Sequence, residues 1–251
     1  MSEQITPELV AKIANTVAVL QQAEADHDQG KVVFANSLGA EDVVITDLIS
    51  KHADKIGMFV LDTGRLPEET LQLLTEVQKT YSNVAVDVYY PEAADVESFV
   101  KENGVNGFYE SQALRKGCCA VRKIKPLKRA LSDREAWITG LRREQSVTRD
   151  EIGFKEFDEG NQIEKYNPLA DWTEKEVWAY IKANDVPYNE LHDKHYPSIG
   201  CAPCTRAISA GEDVRAGRWW WENPETRECG LHPGTPAAEA TPVNVMDFLP
   251  K

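Results

Sequence analysis

The fold of this chain is decided by the stretch KVVFANSLGAED, residues 31–42. Residues 31–37 predict a buried strand, and the strand breaks at Leu38-Gly39. From Glu41 to Ser50 the pattern predicts a helix. A strand that passes through a short glycine turn into a helix is the first half of a β-α unit. The stretch therefore favours a parallel sheet that is covered by helices.

The same alternation continues on both sides of this stretch. The sequence predicts helices over Pro7–Ala25 and Pro67–Tyr81, a capping box between Thr173 and Glu176 at the start of a later helix, and strands over Gly57–Leu61, Val84–Tyr89 and Glu135–Thr139. We expect an α/β fold with a doubly wound, mostly parallel sheet and a mobile C-terminal segment. The predicted domain spans residues 1–231, and the C-terminal tail spans residues 232–251.

The overall composition excludes several classes of function. The formal net charge is −13, which disfavours non-specific binding to nucleic acid, since such binding needs a basic surface. No apolar stretch reaches the length of about 18 residues that a membrane helix needs, so no membrane association is expected. The N-terminus lacks the basic and apolar order of a signal peptide, which predicts a cytoplasmic location.

Five cysteines are divided into two pairs and a single residue. Cys118 and Cys119 are adjacent, Cys201 and Cys204 are separated by two residues, and Cys229 stands alone. In the cytoplasm such clusters indicate metal ligands or redox groups, because structural disulfides are rare there. The spacing leaves zinc and a 4Fe–4S cluster both open. Cys229 is a candidate nucleophile, and the alternative is an incidental surface thiol.

Anion-binding features surround these cysteines. Gly39 would let the backbone approach an anion after the first strand, and the loop at Asp62–Gly64 follows the next strand in the same way. Basic residues cluster in residues 115–125, at Arg142-Arg143, and at residues 206–218. Neither loop matches a dinucleotide-binding fingerprint or a P-loop. The pattern favours a site for an anionic nucleotide of another class.

Seven motifs occur in an order that is specific. They are SLGAED (37–42), LDTGRLPE (61–68), KGCCAVRK (116–123), TGLRREQS (139–146), CAPCTR (201–206), GEDVRAGRWWW (211–221) and ECGLH (228–232). From about Val32 to His232 the chain resembles the adenosine phosphosulfate reductase family, the iron–sulfur branch of the assimilatory sulfonucleotide reductases. The resemblance implies an adenine-nucleotide α-hydrolase-like sheet.

The resemblance also implies roles for individual residues. Cys229 would attack the sulfate sulfur of adenosine phosphosulfate, AMP would leave, and thioredoxin (or glutaredoxin) would release sulfite. A 4Fe–4S cluster would be held by Cys118, Cys119, Cys201 and Cys204. The expected substrate-binding residues are Ser37, Gly39 and Asp42 in the nucleotide pocket, Leu61 and Thr63 near the adenosine, Arg142 or Arg143 on the nucleotide, and Lys123, Arg215, Arg218 and His232 on the phosphosulfate.

Three alternatives remain open from the sequence. The first is reduction of 3′-phosphoadenosine phosphosulfate, alone or as a second substrate. The second is an ATP pyrophosphatase, although SLGAED departs from the phosphate loop of that group. The third is a zinc-stabilised binding module in which Cys229 is incidental. The sequence does not fix the oligomeric state, and a homo-oligomer is one of the alternatives.

Overall fold

The computed structural model describes residues 5–145 and 152–223. Within these ranges six strands form one sheet in the order β3-β2-β1-β4-β6-β5. The strands are β1 Val32–Ala35, β2 Gly57–Leu61, β3 Val86–Tyr89, β4 Ala136–Ile138, β5 Lys155–Asp158 and β6 Ile163–Tyr166. All neighbouring pairs are parallel except β5 and β6, which pair antiparallel at one edge. The mostly parallel sheet predicted from the sequence is confirmed.

The order of the strands changes direction at β1. From β1 the chain moves outward through β2 to β3, and it then returns to place β4 on the other side of β1. Loops that leave β1 and β4 therefore diverge and open a crevice between them. In open α/β sheets ligands bind at such a switch point, beyond the carboxyl ends of the strands.

Seven α-helices cover the sheet in the described part of the chain. They are α1 Pro7–Asp26, α2 Ala40–His52, α3 Glu68–Thr80, α4 Ala93–Asn103, α5 Gln112–Cys119, α6 Lys125–Leu131 and α7 Glu174–Ala183. A π-helical turn, Ala120–Ile124, joins α5 to α6, and 3₁₀ turns occupy Gly107–Tyr109, Arg143–Gln145, Glu190–Lys194 and Ala202–Cys204.

Local sequence accounts for where the helices begin. At α1 the Thr6 hydroxyl accepts a hydrogen bond from the Leu9 N–H at 3.2 Å, and Pro7 occupies the first turn. At α7 Thr173 and Glu176 form the predicted capping box. These starting points agree with the sequence because capping is a local interaction.

The side chains of β1 divide the core into two layers. Val32 and Phe34 pack into the larger apolar cluster, whereas Val33 between them packs into a smaller cluster with Leu127 of α6 and Trp137 of β4. Alternate residues of a strand point to opposite faces, so both faces of the sheet are buried under helices. This sandwich holds the strand ends, and the loops that follow them, in fixed positions.

The hairpin of β5 and β6 was not predicted from the sequence. Its turn is closed by Asp158, whose Oδ1 accepts from the N–H groups of Gly160 at 2.9 Å and Asn161 at 3.1 Å. β5 reads Lys-Glu-Phe-Asp and lies at the sheet edge, where charged residues are common and apolar alternation is weak. The periodicity that revealed the central strands was therefore missing.

Two further observations bear on the predicted organisation. No helix among the described residues has the length and apolar character needed to cross a bilayer. The predicted tail, residues 232–251, lies outside the described residues, as does the end of the predicted domain after residue 223.

Candidate active site

A large cavity lies at the carboxyl ends of β1, β2 and β4, where the loops diverge. Its volume is about 1380 Å³, and its walls include Ser37 after β1, Thr63 after β2 and Gly140 after β4. The cavity volume exceeds the range of about 300–1,000 Å³ that is usual for small-molecule sites, so the cavity can hold a nucleotide. The predicted loops thus meet at the switch point of the sheet.

Asp42 organises the loop after β1. Its Oδ2 accepts hydrogen bonds from the backbone N–H and the hydroxyl of Ser37, both at 2.6 Å. Between them Leu38 adopts a left-handed φ of 62°, and its N–H donates to Asn36 Oδ1 at 2.7 Å. Gly39 precedes α2 and lines the cavity. The loop therefore presents the N-terminus of α2 and its free N–H groups to a ligand.

The environment of Asp42 is unusual for a carboxylate. Burial raises the pKa of Asp42 to about 7, against the opposing effect of the two hydrogen bonds from Ser37, and the charge of Glu41 raises it further. The other carboxylate oxygen lies against Gly140, where a Cβ atom would stand 2.2 Å from Oδ1. A larger residue at this position would have to displace the Asp42 carboxylate.

Arg142 is buried and already neutralised by protein groups. It is 5% exposed, its Nε and one terminal nitrogen each lie 2.8 Å from Glu41 Oε1, and its other terminal nitrogen donates to Glu144 Oε2 at 2.8 Å. Gln145 also donates to Glu41, at 3.1 Å. Arg142 lines the cavity, but these contacts engage its guanidinium in holding the β1 and β4 loops together.

Arg143 is directed elsewhere. Its Nε donates to the Ile152 carbonyl at 2.7 Å, and its guanidinium lies 5.4 Å from the centre of the Phe154 ring. It is absent from the described wall of the cavity. Of the two neighbouring arginines predicted to reach a nucleotide, the structure places Arg142 at the cavity and Arg143 away from it.

Three predicted phosphosulfate ligands line the same cavity: Lys123, Arg215 and Arg218. Arg218 donates to the Ser198 hydroxyl at 3.3 Å. Its guanidinium packs against Gly200, where a Cβ atom would lie 2.5 Å from a terminal nitrogen. The cations come from the π-helical turn and from the loop after the second cysteine pair, so only the fold brings them together.

Thr63 connects this cavity to the cysteines. Both Leu61 and Thr63 line the cavity, as predicted for the loop after β2. Thr63 is fully buried, and its hydroxyl lies 3.2 Å from the sulfur of Cys201. The Thr63 carbonyl accepts a hydrogen bond from Arg122 at 2.7 Å. One loop therefore supports a nucleotide wall and a cysteine at the same time.

The four paired cysteines converge on a second, small cavity of about 20 Å³. Lys123 lines this cavity as well as the large one. The described residues that line it are Arg65, Phe108, Arg115, Cys118, Cys119, Arg122, Lys123, Cys201, Pro203 and Cys204. Four cations thus surround four thiol groups that come from two distant segments of the chain.

A π-helical turn follows the adjacent cysteines directly and joins α5 to α6. Cys118 and Cys119 end α5, and Arg122 and Lys123 follow within the wider turn. A π turn rotates the residues that follow it relative to a regular α-helix, and such turns occur frequently at functional sites. The turn directs one helix segment toward both cavities.

All four of these cysteines are free thiols. Burial raises the pKa of Cys204 to about 12, the neighbouring cysteines add to this, and Lys123 opposes it. Burial likewise raises the pKa of Cys118, against the charge of Arg122. Burial therefore favours the neutral thiol at Cys118 and Cys204. Within residues 5–145 and 152–223, no three His, Cys, Asp or Glu side chains are grouped as ligands of one metal ion.

Sequence reasoning missed three residues of the site, of which the two arginines are buried. Arg115 and Arg122 lie in the basic run that the sequence revealed, and Glu41 lies in the first loop, but none was selected. Arg115 is fully buried and forms a bidentate ion pair with Glu222 at 2.9 and 2.8 Å. Charge clustering gave a signal for both arginines, whereas their burial became visible only in the fold.

The predicted nucleophile Cys229 and the predicted phosphosulfate ligand His232 lie outside the described residues. Both remain predictions.

Comparison with known proteins gives consistent results. The model of the phosphoadenosine phosphosulfate reductase domain family matches residues 31–207. Proteins named adenosine 5′-phosphosulfate reductase are similar over most of the chain: that of Allochromatium vinosum is 54% identical over 90% of this chain and 88% of its own length. The corresponding protein of Burkholderia cepacia is 55% identical over 91% of this chain and 90% of its own length.

Solved structures extend the comparison to the fold. The phosphate complex of phosphoadenylyl-sulfate reductase from Candida auris superposes with a TM-score of 0.65 at 29% identity, over 77% of this chain and 90% of that one. FMN adenylyltransferase of Candida glabrata, bound to FMN and an ATP analogue, gives a TM-score of 0.56 at 14% identity, over 98% of this chain and 83% of that one. The second likeness concerns the fold alone.

Proposed function

The chain belongs to the phosphoadenosine phosphosulfate reductase family, and we propose that it reduces adenosine 5′-phosphosulfate to sulfite and AMP. The protein is thus an oxidoreductase acting on sulfur, in assimilatory sulfate reduction. One observation carries the proposal: a nucleotide-sized cavity at the switch point shares Lys123 with a cavity lined by four cysteines.

The loops of the large cavity support nucleotide binding. We assign the adenosine to Leu61 and Thr63, and the loop of Ser37, Gly39 and Asp42 to the nucleotide at the N-terminus of α2. Arg142 would shape this wall through Glu41, since its guanidinium is held by protein carboxylates. Arg143, bonded to a backbone carbonyl outside the cavity wall, takes no direct part in this assignment.

The phosphosulfate is assigned to Lys123, Arg215 and Arg218, with His232 as a further ligand. Arginine binds oxyanions through several N–H groups at once, and lysine contributes a compact charge. These cations would offset the charges of the substrate and stabilise the charge that develops as AMP departs.

The reaction begins with attack of the Cys229 thiolate on the sulfate sulfur. A bond from sulfur to sulfur forms, the bond from sulfur to the bridging phosphate oxygen breaks, and AMP leaves with that electron pair. Cys229 is then an S-sulfocysteine. A thiolate of thioredoxin or glutaredoxin attacks its Sγ and expels sulfite, and the second thiol of the donor resolves the mixed disulfide. The donor dithiol is oxidised and supplies both electrons.

A 4Fe–4S cluster fits the residues of the small cavity. Cysteine thiolates are the usual ligands of such clusters, and the four paired cysteines would hold one here. The cations that line the cavity offset the negative charge of the thiolates and of the cluster. The indole N–H groups of Trp219 and Trp221 are buried without a partner in the described part of the chain, and sulfur could accept from them.

Zinc is also bound by four cysteine thiolates, so the iron and zinc content of the purified protein tests the choice of a 4Fe–4S cluster. When bound, the cluster supplies a fixed charge and a cross-link between two segments.

Two further assignments accompany this function. Free cysteines in both pairs are consistent with a reducing compartment, and we assign the protein to the cytoplasm. We treat residues 1–231 as one reductase domain and residues 232–251 as a tail.

Mass spectrometry of the anaerobically purified enzyme after incubation with adenosine phosphosulfate, without thioredoxin, tests the proposal. We expect a sulfonate adduct on Cys229 and release of AMP. An unmodified Cys229 together with ATP hydrolysis would instead indicate a pyrophosphatase. Turnover of 3′-phosphoadenosine phosphosulfate in parallel separates strict from dual substrate use. The high identity to adenosine phosphosulfate reductases favours the unphosphorylated substrate.

A further inference from the structure

The indole ring of Trp219 contacts one cation from each cavity. The guanidinium carbon of Arg115 lies 4.6 Å from its ring, and that of Arg218 lies 4.7 Å away. Arg115 lines the cysteine cavity and Arg218 lines the nucleotide cavity. A tryptophan ring attracts a guanidinium within about 6 Å, and the attraction grows when water is excluded. Trp219 therefore joins the two cavities by direct contact.

The backbone of Trp219 is held in a strained conformation. Its φ of 43° is in the left-handed region, and the side chain is 1% exposed. Its N–H donates to the Cys204 carbonyl at 3.1 Å, and the preceding residue forms a β-bridge with Thr205. A strained backbone conformation persists only where several surrounding contacts hold it in place, and such conformations occur preferentially at functional sites. Here the contacts come from the second cysteine segment.

Arg115 connects the ring to the first cysteine segment. It is fully buried, and both oxygens of Glu222 accept its hydrogen bonds. Its guanidinium interacts electrostatically with Cys119, which lines the same cavity. A shift of Cys119 would thus move Arg115 and, through it, the indole ring of Trp219. The backbone of Trp219 is in turn hydrogen-bonded to Cys204.

We propose that Trp219 is a positioning residue that couples occupancy of the cysteine cavity to the placement of Arg218 in the nucleotide cavity. The inference rests on the proposed function, in which Arg218 holds the phosphosulfate and the cysteines hold a cluster. A bound cluster would hold Cys119 and Cys204 in place. Cys119 would then position Arg115, and Cys204 would position the backbone of Trp219. The indole ring of Trp219 would in turn position Arg218. Because such coupling is reciprocal, binding of the phosphosulfate acts on the cysteine cavity through the same contacts.

The test compares three variants of the iron-loaded enzyme. In Trp219→Leu the ring is lost, in Trp219→Phe an aromatic face is kept, and Trp220→Leu is the matched control. Trp220 is a neighbouring, partly exposed tryptophan that packs against Tyr109 and Trp221. Iron content and thermal stability of each variant show whether it folds and loads.

For Trp219→Leu we expect the KM for adenosine phosphosulfate to rise about tenfold, as loss of two cation–π contacts implies, with kcat changed much less. Affinity for AMP, which lacks the sulfate, should change less than about threefold. The KM of Trp219→Phe should lie close to that of the unmodified enzyme, since phenylalanine keeps an aromatic face for the guanidinium groups. Trp220→Leu should behave as the unmodified enzyme.

A second readout is independent of turnover. In a Cys229→Ser background, adenosine phosphosulfate should change the visible circular dichroism of the cluster, and Trp219→Leu should abolish that change while leaving iron content intact. A KM and a spectral response within twofold of the unmodified enzyme would overturn the inference, as would equal defects in the Leu and Phe variants. If the unmodified chain binds no iron or forms no sulfite, the proposed function fails, and the inference fails with it.

Discussion

The carboxylate of Asp42, in the first turn of α2, packs against Gly140 in the loop after β4. A Cβ atom at position 140 would stand 2.2 Å from Asp42 Oδ1. This contact closes the crevice between β1 and β4, where the nucleotide cavity begins. The Asp42 carboxylate can occupy this position only because residue 140 has no Cβ atom.

Gly140→Ala should therefore damage both stability and binding. Asp42 is also held by Ser37, so relieving the clash must distort the loop. We expect the free energy of unfolding to fall by about 1–3 kcal/mol, as for other overpacked sites. AMP affinity, measured by calorimetry, should fall with it.

Gly57→Ala is the matched control for this substitution, because the nearest heavy atom to its Cβ would be at 3.7 Å, an ordinary contact. Equal effects at the two glycines would contradict the steric explanation.

Asp42 should make stability depend on pH. Burial raises its pKa from 3.8 to about 7, so the folded protein binds a proton that the unfolded chain releases at lower pH. This contribution is fully present below the unfolded pKa and is lost as the pH rises through about 7. Between pH 5.5 and 7 the loss amounts to about 2 kcal/mol.

Asp42→Asn should remove this part of the pH dependence, which urea unfolding at several pH values would measure. An unchanged slope in the Asn variant would assign the dependence to other groups. Glu97→Gln, at an exposed position of α4, controls for the general effect of removing a carboxylate.

The ion pair between Arg142 and Glu41 should be structural. Glu41→Gln leaves a nearly buried guanidinium with one charged partner fewer, and this should lower the free energy of unfolding by about 1–3 kcal/mol. In contrast, Glu190→Gln breaks an exposed pair with Lys194 and should cost less than about 1 kcal/mol. Chemical denaturation distinguishes the two, and similar costs would refute the role of burial.

The two neighbouring arginines after β4 should differ in their effect on binding. Arg143→Ala removes a contact with a backbone carbonyl outside the cavity wall, so AMP affinity should change less than about twofold. Arg142→Ala should weaken AMP binding and stability together, since it frees Glu41 and Glu144. Loss of AMP binding in Arg143→Ala with normal stability would show that this side chain turns toward the ligand.

Substitution of a paired cysteine and substitution of Cys229 should have different effects on iron content and on sulfite formation. Cys201→Ser should lower the iron content, because one cluster ligand and its contact with Thr63 are altered. Cys229→Ser should retain iron and nucleotide binding but form no sulfite. Iron analysis and sulfite assays on the same preparations measure both. A colourless protein that contains zinc would contradict the cluster, and sulfite from Cys229→Ser would contradict the nucleophile.

Much of the fold followed from local patterns. The run of residues 31–37, the second strand and the capping box at Thr173 were read correctly, because buried central strands and helix caps leave short-range signals. The edge hairpin β5–β6 left none, since a charged edge strand lacks apolar alternation. The helix through Cys118 was also missed. The π turn that follows this helix has no characteristic spacing of apolar residues by which the sequence would reveal it.

The sequence by itself determined the chemical inventory: four paired cysteines, a separate thiol, two glycine loops after strands, and basic residues in an acidic chain. Residue types and spacings carry that information directly. Only the tertiary structure decided which groups share a cavity. Arg142 and Arg143 are adjacent in sequence, yet one faces the cavity and the other does not. Arg115, Trp219 and Arg218 come together from segments about a hundred residues apart. Long-range packing sets such contacts, and local sequence cannot, because burial and partner choice depend on the whole fold.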